Sequence, residues 1–146
     1  MILLDTNIVS ETMRPRPDHT VIEWLNQLET TSLFISTITV AEIEYGLALL
    51  ADGERKTDLE GRFQRYITEG FTERVLSFDM AAADEYGSVM ATRRSTGRPM
   101  SSLDGQIAAI ARAHGFTLAT RNEKDFEACG IEVVNPFTAG TPPDTA

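Results

Sequence analysis

Short apolar, β-branched runs recur along the chain, separated by longer segments whose apolar residues fall at helical spacing. Residues 2–4, 33–36, 75–78, 117–120 and 131–135 form the short runs and predict five strands. Residues 18–28, 38–50, 54–69, 80–94 and 102–114 carry the helical spacing. Strands alternating with helices in this way predict an α/β protein, a three-layer α/β/α sandwich around a central, mainly parallel sheet. Turn chemistry supports the boundaries. Arg14-Pro15-Arg16-Pro17 and Gly97-Arg98-Pro99 read as loops, residues 51–53 as a turn and Gly115 as a helix C-terminal cap.

Composition narrows the picture to one domain. The 146 residues are 42% hydrophobic, enough for a single core, since domains of this size bury roughly two thirds of their unfolded surface. We expect that domain to occupy residues 1–137. The last nine residues, 138–146, offer nothing to bury and are expected to form a disordered tail. No apolar run approaches the roughly 18 residues of a membrane span, and the start MILLDTNIVSE lacks a signal-peptide pattern, so a cytoplasmic protein is expected. Cys129 is the single cysteine, and His19 and His114 are far apart in sequence. Disulfides and Cys/His metal clusters are therefore excluded, and any metal must be held by oxygen.

Charge complicates a nucleic-acid role. A formal net charge of -9 opposes bulk attraction to phosphate, which needs Lys and Arg. The basic residues are nevertheless grouped, as Arg14 with Arg16, Arg93 with Arg94 and Arg98, and Arg121 with Lys124. Such groups offer either local phosphate contacts or ordinary solvated charge.

Three acids fall in unusual places. Asp5 closes the first strand, and ligands of open parallel sheets bind beyond the carboxyl ends of strands; an Asp there also caps a following short helix. Glu42 shares a helical face with Ile38, Tyr45 and Leu49, which predicts a carboxylate inside a buried apolar stripe. Burial of that kind demands a cation, a salt bridge to an Arg or the lip of a cleft. Asp104 shares a face with Ile107, Ala108 and Ala111, although an acid in a first helical turn also suits the helix dipole, with Ser101 or Ser102 as cap. A further cluster, TRNEKDFE, follows the fourth strand and brings Asn122, Glu123 and Asp125, with Asn122 readable as an N-cap. Carboxylates without His or Cys form a hard oxygen site suited to Mg2+ or Mn2+ and to phosphoryl chemistry.

The blocks ILLDTNIVSE, STITVAEIEYGLALL, SSLDGQIAAIARAHG and LATRNEKDFEACGIEVVNPF, in this order, resemble the VapC-type PIN-domain toxins, and within them the FitB-like branch. That resemblance covers nearly the whole chain up to residue 137. It implies a parallel sheet that gathers the acids, a Mg2+- or Mn2+-dependent endoribonuclease activity, and homodimers that pair with a cognate basic antitoxin carrying a DNA-binding domain. Position by position, the family's acids fall on Asp5, Glu42 and Asp104, and its small hydroxyl on Thr6; Asp5 and Asp104 are implied as the nearest metal ligands, with Glu42 acting partly through water. The fourth acidic position falls on Asn122, which is uncharged, and Asp125 is expected to take over part of its role. Asn122 also keeps open a degenerate PIN-like domain that binds an antitoxin or nucleic acid without cleaving.

Overall fold

The computed structural model describes residues 1–138, so all but the first residue of the expected tail, residues 139–146, lies outside the described residues. Among these residues five strands, β1 (Ile2–Leu4), β2 (Leu33–Ser36), β3 (Val75–Leu76), β4 (Thr117–Ala119) and β5 (Val133–Val134), form one sheet in the order β3-β2-β1-β4-β5. Every pairing is parallel. The chain builds outward from β1 in one direction, then returns to the other side of it for β4. This reversal puts a crevice at the carboxyl ends of β1 and β4.

Among the described residues six helices cover the sheet: α1 (Thr6–Thr12), α2 (His19–Asn26), α3 (Thr37–Ala48), α4 (Glu54–Gly70), α5 (Met80–Ser95) and α6 (Ser102–His114). The alternation of side chains along β1 divides the core into two layers. Ile2 and Leu4 pack with Ile8 and Val9 of α1, Trp24 of α2, Ile43 of α3 and Phe63 of α4. Leu3 points the other way, into Val89 of α5 and Ile107, Ala108 and Ala111 of α6. All three β1 residues are buried, as a central parallel strand covered on both faces requires. The result is the expected three-layer α/β/α sandwich. No helix among the described residues is long and apolar enough to cross a membrane.

On α4, Phe63 is fully buried, and the half-buried Leu59, Tyr66 and Ile67 pack against the same cluster as Trp24. Gly115 ends α6 in the left-handed conformation at φ 67°, the expected cap. Two expectations need correction. The edge strands β3 and β5 are two residues long, shorter than 75–78 and 131–135, because each has a neighbour on one side only. On α3, the buried residues are Thr39, Ile43 and Leu47, while Tyr45 and Leu49 are each 68% exposed. Glu42 therefore does not lie in a buried stripe.

Helices α5 and α6 approach closely at Gly105. A Cβ there would stand 2.4 Å from Met90 Sδ and 3.0 Å from the Tyr86 ring. Alanine normally favours a helix over glycine by up to about 1 kcal/mol, but overpacking at such a contact costs about 1–3 kcal/mol. Gly105→Ala should therefore lower unfolding free energy, measured by urea denaturation. A stability gain would show that Met90 and Tyr86 yield freely.

A candidate active site of converging acids

The site begins with a helix cap. Asp5 leaves β1 in an extended conformation (φ -71°, ψ 162°) and turns the chain into α1, and its Oδ1 accepts the Thr6 N–H at 2.8 Å. Its other oxygen accepts the Thr120 hydroxyl at 2.7 Å and the Asn7 side-chain amide at 3.4 Å. Thr120 follows β4 directly, so this bond joins the carboxyl ends of two neighbouring strands. The Asp5 N–H donates to Ala119 O at 2.9 Å and holds that register. Both readings of Asp5 thus hold together: it caps a helix and faces the crevice.

Glu42 is fixed by Thr6, whose hydroxyl donates to Glu42 Oε1 at 2.8 Å and lies 3.1 Å from Thr39 Oγ1. The buried Ser36 at the N-terminus of α3 anchors that group, because its Oγ accepts the Thr39 N–H at 3.1 Å. Glu42 forms no ion pair among the described residues. Asp104 lies half-buried in the first turn of α6, and its N–H donates to the Ser101 cap at 3.1 Å.

A cleft of about 420 Å³ brings these groups together, with Asp5, Thr6, Glu42, Asp104 and Asn122 on its wall. Asp125 does not line it. That residue sits in the 3-10 turn Glu123–Phe126, where its charge helps raise the pKa of Asp104. Asn122 does not cap that turn with its side chain, contrary to one expectation. Sequence reasoning missed Asn7, Thr39 and Thr120, which fix the acids; the signal for Thr120 was its place at the end of β4. The basic groups also divide. Arg14 and Arg121 line the cleft, whereas Arg93 is buried and donates to the carbonyls of Lys124 and Glu127. Arg93 is a structural strut and is not available to phosphate.

Burial and mutual repulsion raise the pKa of two of the cleft acids. Burial pushes the Asp5 carboxyl from 3.8 up to about 6; bonds from Thr120 and Thr6 oppose that rise, and the nearby charges of Asp104 and Glu42 add to it. Burial likewise raises Asp104, against its Ser101 bond, with Asp125 adding and Arg93 opposing.

The donor set is carboxylate, hydroxyl and amide oxygen. Among the described residues no three acidic, His or Cys side chains close on one point. The acids around an open cleft fit a hydrated divalent ion, which takes one or two carboxylates and keeps several waters.

A parallel sheet in this order, with acids from the end of β1, from α3 and from α6 lining one cleft, defines the class. Residues 2–131 match the PIN domain model, and the chain belongs to the PIN-domain family. Within it, the chain is 40% identical to "VapC ribonuclease Y4jK" of Sinorhizobium fredii, over 94% of this chain and 98% of that protein. It is also 40% identical to "Toxin FitB" of Neisseria gonorrhoeae, over 94% and 99% respectively. Its fold matches a chain in the solved structure of FitAB bound to the IR36 DNA fragment with a TM-score of 0.91 and 39% identity, covering 96% of this chain and 98% of that one.

The raised pKa of Asp5 makes a signed prediction. The native protein keeps a proton that the unfolded chain has already lost, so this group's contribution to stability falls as pH rises from about 4 to about 6 and is flat above. A shift of this size corresponds to about 3 kcal/mol. Subtracting the pH–stability curve of Asp5→Asn from that of the parent, both in EDTA, should isolate this loss. A difference independent of pH across that window would refute burial as the cause.

Proposed function

We propose that this chain is the toxin of a type II toxin–antitoxin pair and an endoribonuclease that hydrolyses RNA phosphodiester bonds at Asp5, Glu42 and Asp104. The observation that carries the reading is that these three carboxylates, from three separate segments, line one cleft. The names of the relatives, a VapC ribonuclease and a toxin, support the same activity.

Nucleases of this family are generally metal-dependent, and we assign Mg2+ or Mn2+ to the cleft, with Asp5 and Asp104 nearest and Glu42 partly through water. A bound ion would polarise the attacking water and neutralise charge on the phosphate. The protein's own part is positioning. Thr6, Asn7 and Thr120 hold both oxygens of Asp5 toward the cleft, leaving little conformational freedom to lose. The Thr6 hydroxyl fixes one oxygen of Glu42 and leaves the other to orient or deprotonate water. Asn122 contributes a neutral oxygen from the wall.

Residues 1–137 are the working domain in this reading, and the site of action is the cytoplasm, where RNA is met. The partner is a basic antitoxin with a DNA-binding domain, bound to a toxin homodimer. The solved FitAB complex on DNA supports such an assembly. The exposed Tyr45 and Leu49 of α3 supply apolar surface for such contacts. The acidic cleft attracts an antitoxin Arg or Lys in the place of the ion.

Purified protein should cleave RNA with Mg2+ or Mn2+ and fall silent with its antitoxin. Asp5→Asn, Glu42→Gln and Asp104→Asn should each reduce kcat by a hundredfold or more, on the order of a lost general acid or base, without loss of fold. Near-normal activity in any of the three at saturating metal removes that residue from the site. RNA binding with no cleavage in either metal would favour the degenerate, binding-only domain that Asn122 keeps in view.

A further inference from the structure

Resting on the nuclease reading above, we infer that Arg121, backed by Phe137, and Arg14, held by Glu11, are the phosphate contacts that seat single-stranded RNA across the carboxylate cleft. The need for them follows from charge. The chain has 22 Asp and Glu against 13 Lys and Arg, and Asp5, Glu11, Glu42 and Asp104 all line the cleft. A polyanion approaching that wall is repelled unless cations are fixed beside it. Arg14 and Arg121 are the two basic side chains that line the cleft among the described residues. They come from different places, Arg14 from the loop after α1 and Arg121 from the segment after β4.

Both are built into position. The Arg121 N–H donates to Asn7 Oδ1 at 3.2 Å, and its carbonyl accepts from Asn135 Nδ2 at 3.5 Å. The same Asn135 accepts the Phe137 N–H at 2.9 Å, so one side chain ties both residues together. The Arg121 guanidinium then stands 4.4 Å from the centre of the Phe137 ring. Stacking on a ring fixes the plane of a guanidinium and leaves its N–H edge free for a phosphate. Phe137 itself lines the cleft, so the stack faces the acids.

On Arg14, one Nη1–H donates to Glu11 Oε1 at 3.2 Å. Glu11 is 5% exposed and Arg14 64%, and the second Glu11 oxygen accepts the Asp18 N–H at 3.0 Å. A buried carboxylate held at both oxygens thus anchors an exposed guanidinium, most of whose five donors remain unused. Arg14 also borders the adjoining groove of about 640 Å³ between α1, α3 and α4, so it stands where a strand longer than the cleft would leave it. Neither arginine acts on the bond being broken; together they hold the strand while the acids do the chemistry.

The test is fluorescence anisotropy of a labelled single-stranded oligoribonucleotide in EDTA, titrated between about 50 and 200 mM salt. Arg14→Ala and Arg121→Ala should each weaken binding about tenfold. Each should also flatten the slope of log affinity against log salt by about 0.7, the value for one phosphate contact on a single strand. Arg121→Lys keeps the charge and the backbone ties, so it should keep the slope and lose part of the affinity; this separates lost contact from lost fold. Phe137→Leu should weaken the parent but add nothing in the Arg121→Ala background, since the ring works through the arginine. In cleavage assays the losses should fall on KM with kcat unchanged. Arg94→Ala, on α5 and outside the cleft lining, should leave the slope alone. Unchanged slopes in both cleft variants, or an equal loss in Arg94→Ala, would overturn the inference. Cleavage with unchanged slopes would sink the clamp and spare the nuclease, whereas the expected slopes without cleavage in Mg2+ or Mn2+ would do the opposite.

Discussion

The hydrogen bond from Thr120 to Asp5 joins two strand ends that are 115 residues apart in sequence, and the rest of the site is built on it. It exists because β1 and β4 are parallel neighbours in register, Leu4 beside Ala119, so the residues that follow them emerge at the same end of the sheet. Asp5 then serves three structural purposes. It ends β1, caps α1 and presents a buried charge to the crevice. Thr6 carries the arrangement on to Glu42, and the caps Ser36 and Ser101 set the phase of α3 and α6 so that their acids face the same space. A one-residue slip between β1 and β4 would part Asp5 from Thr120 and turn every side chain of the slipped strand to the other layer.

The parts of this arrangement legible in the sequence are those where local chemistry and tertiary packing agree. The α6 boundaries can be read because Ser101 caps one end and Gly115 takes a left-handed conformation at the other. β1 can be read because a strand buried on both faces must be continuously apolar. α1 is harder: seven residues show too few turns for a period, and its best signal is the cap at Asp5. The face of α3 was misread for a definite reason. Ile38, Val40, Ile43, Tyr45, Leu47 and Leu49 surround that helix with apolar groups, so periodicity alone cannot select the buried side. The side that packs includes Thr39, a polar residue made tolerable by Ser36 and Thr6.

The arginines show the same limit from another direction. Arg93 and Arg94 are adjacent in sequence and look alike there, yet one turn of α5 buries the first beneath residues 124–127 and leaves the second in solvent. Position along a helix, which depends on what packs against it, decides whether a basic residue is a strut or is free to bind. Family resemblance reached further than composition did. A net charge of -9 argued against RNA, whereas the order of four sequence blocks argued for it. The proposed clamp reconciles the two, since Arg14 and Arg121 stand beside the acids on an otherwise acidic body.

The same electrostatics connect activity to its restraint. A buried carboxylate whose pKa is raised to about 6, with two further acids across a cleft, stores unfavourable energy that any well-placed cation releases. A hydrated divalent ion held by Asp5 and Asp104 would do so and would supply a polarised water for the phosphate. On the proposed reading, a guanidinium or ammonium from a partner would do so as well, but would bring no water and would occupy the place of the ion. The acids attract either cation by charge, so the outcome depends on what else each can reach. On the proposed reading, an ion would arrive with exchangeable waters and would make the cleft reactive. A protein-borne cation arrives with an interface around it, and the affinity of that interface decides how long the cleft stays silent. The acidity that the proposed chemistry needs would therefore also make the cleft a place where a basic partner can switch it off.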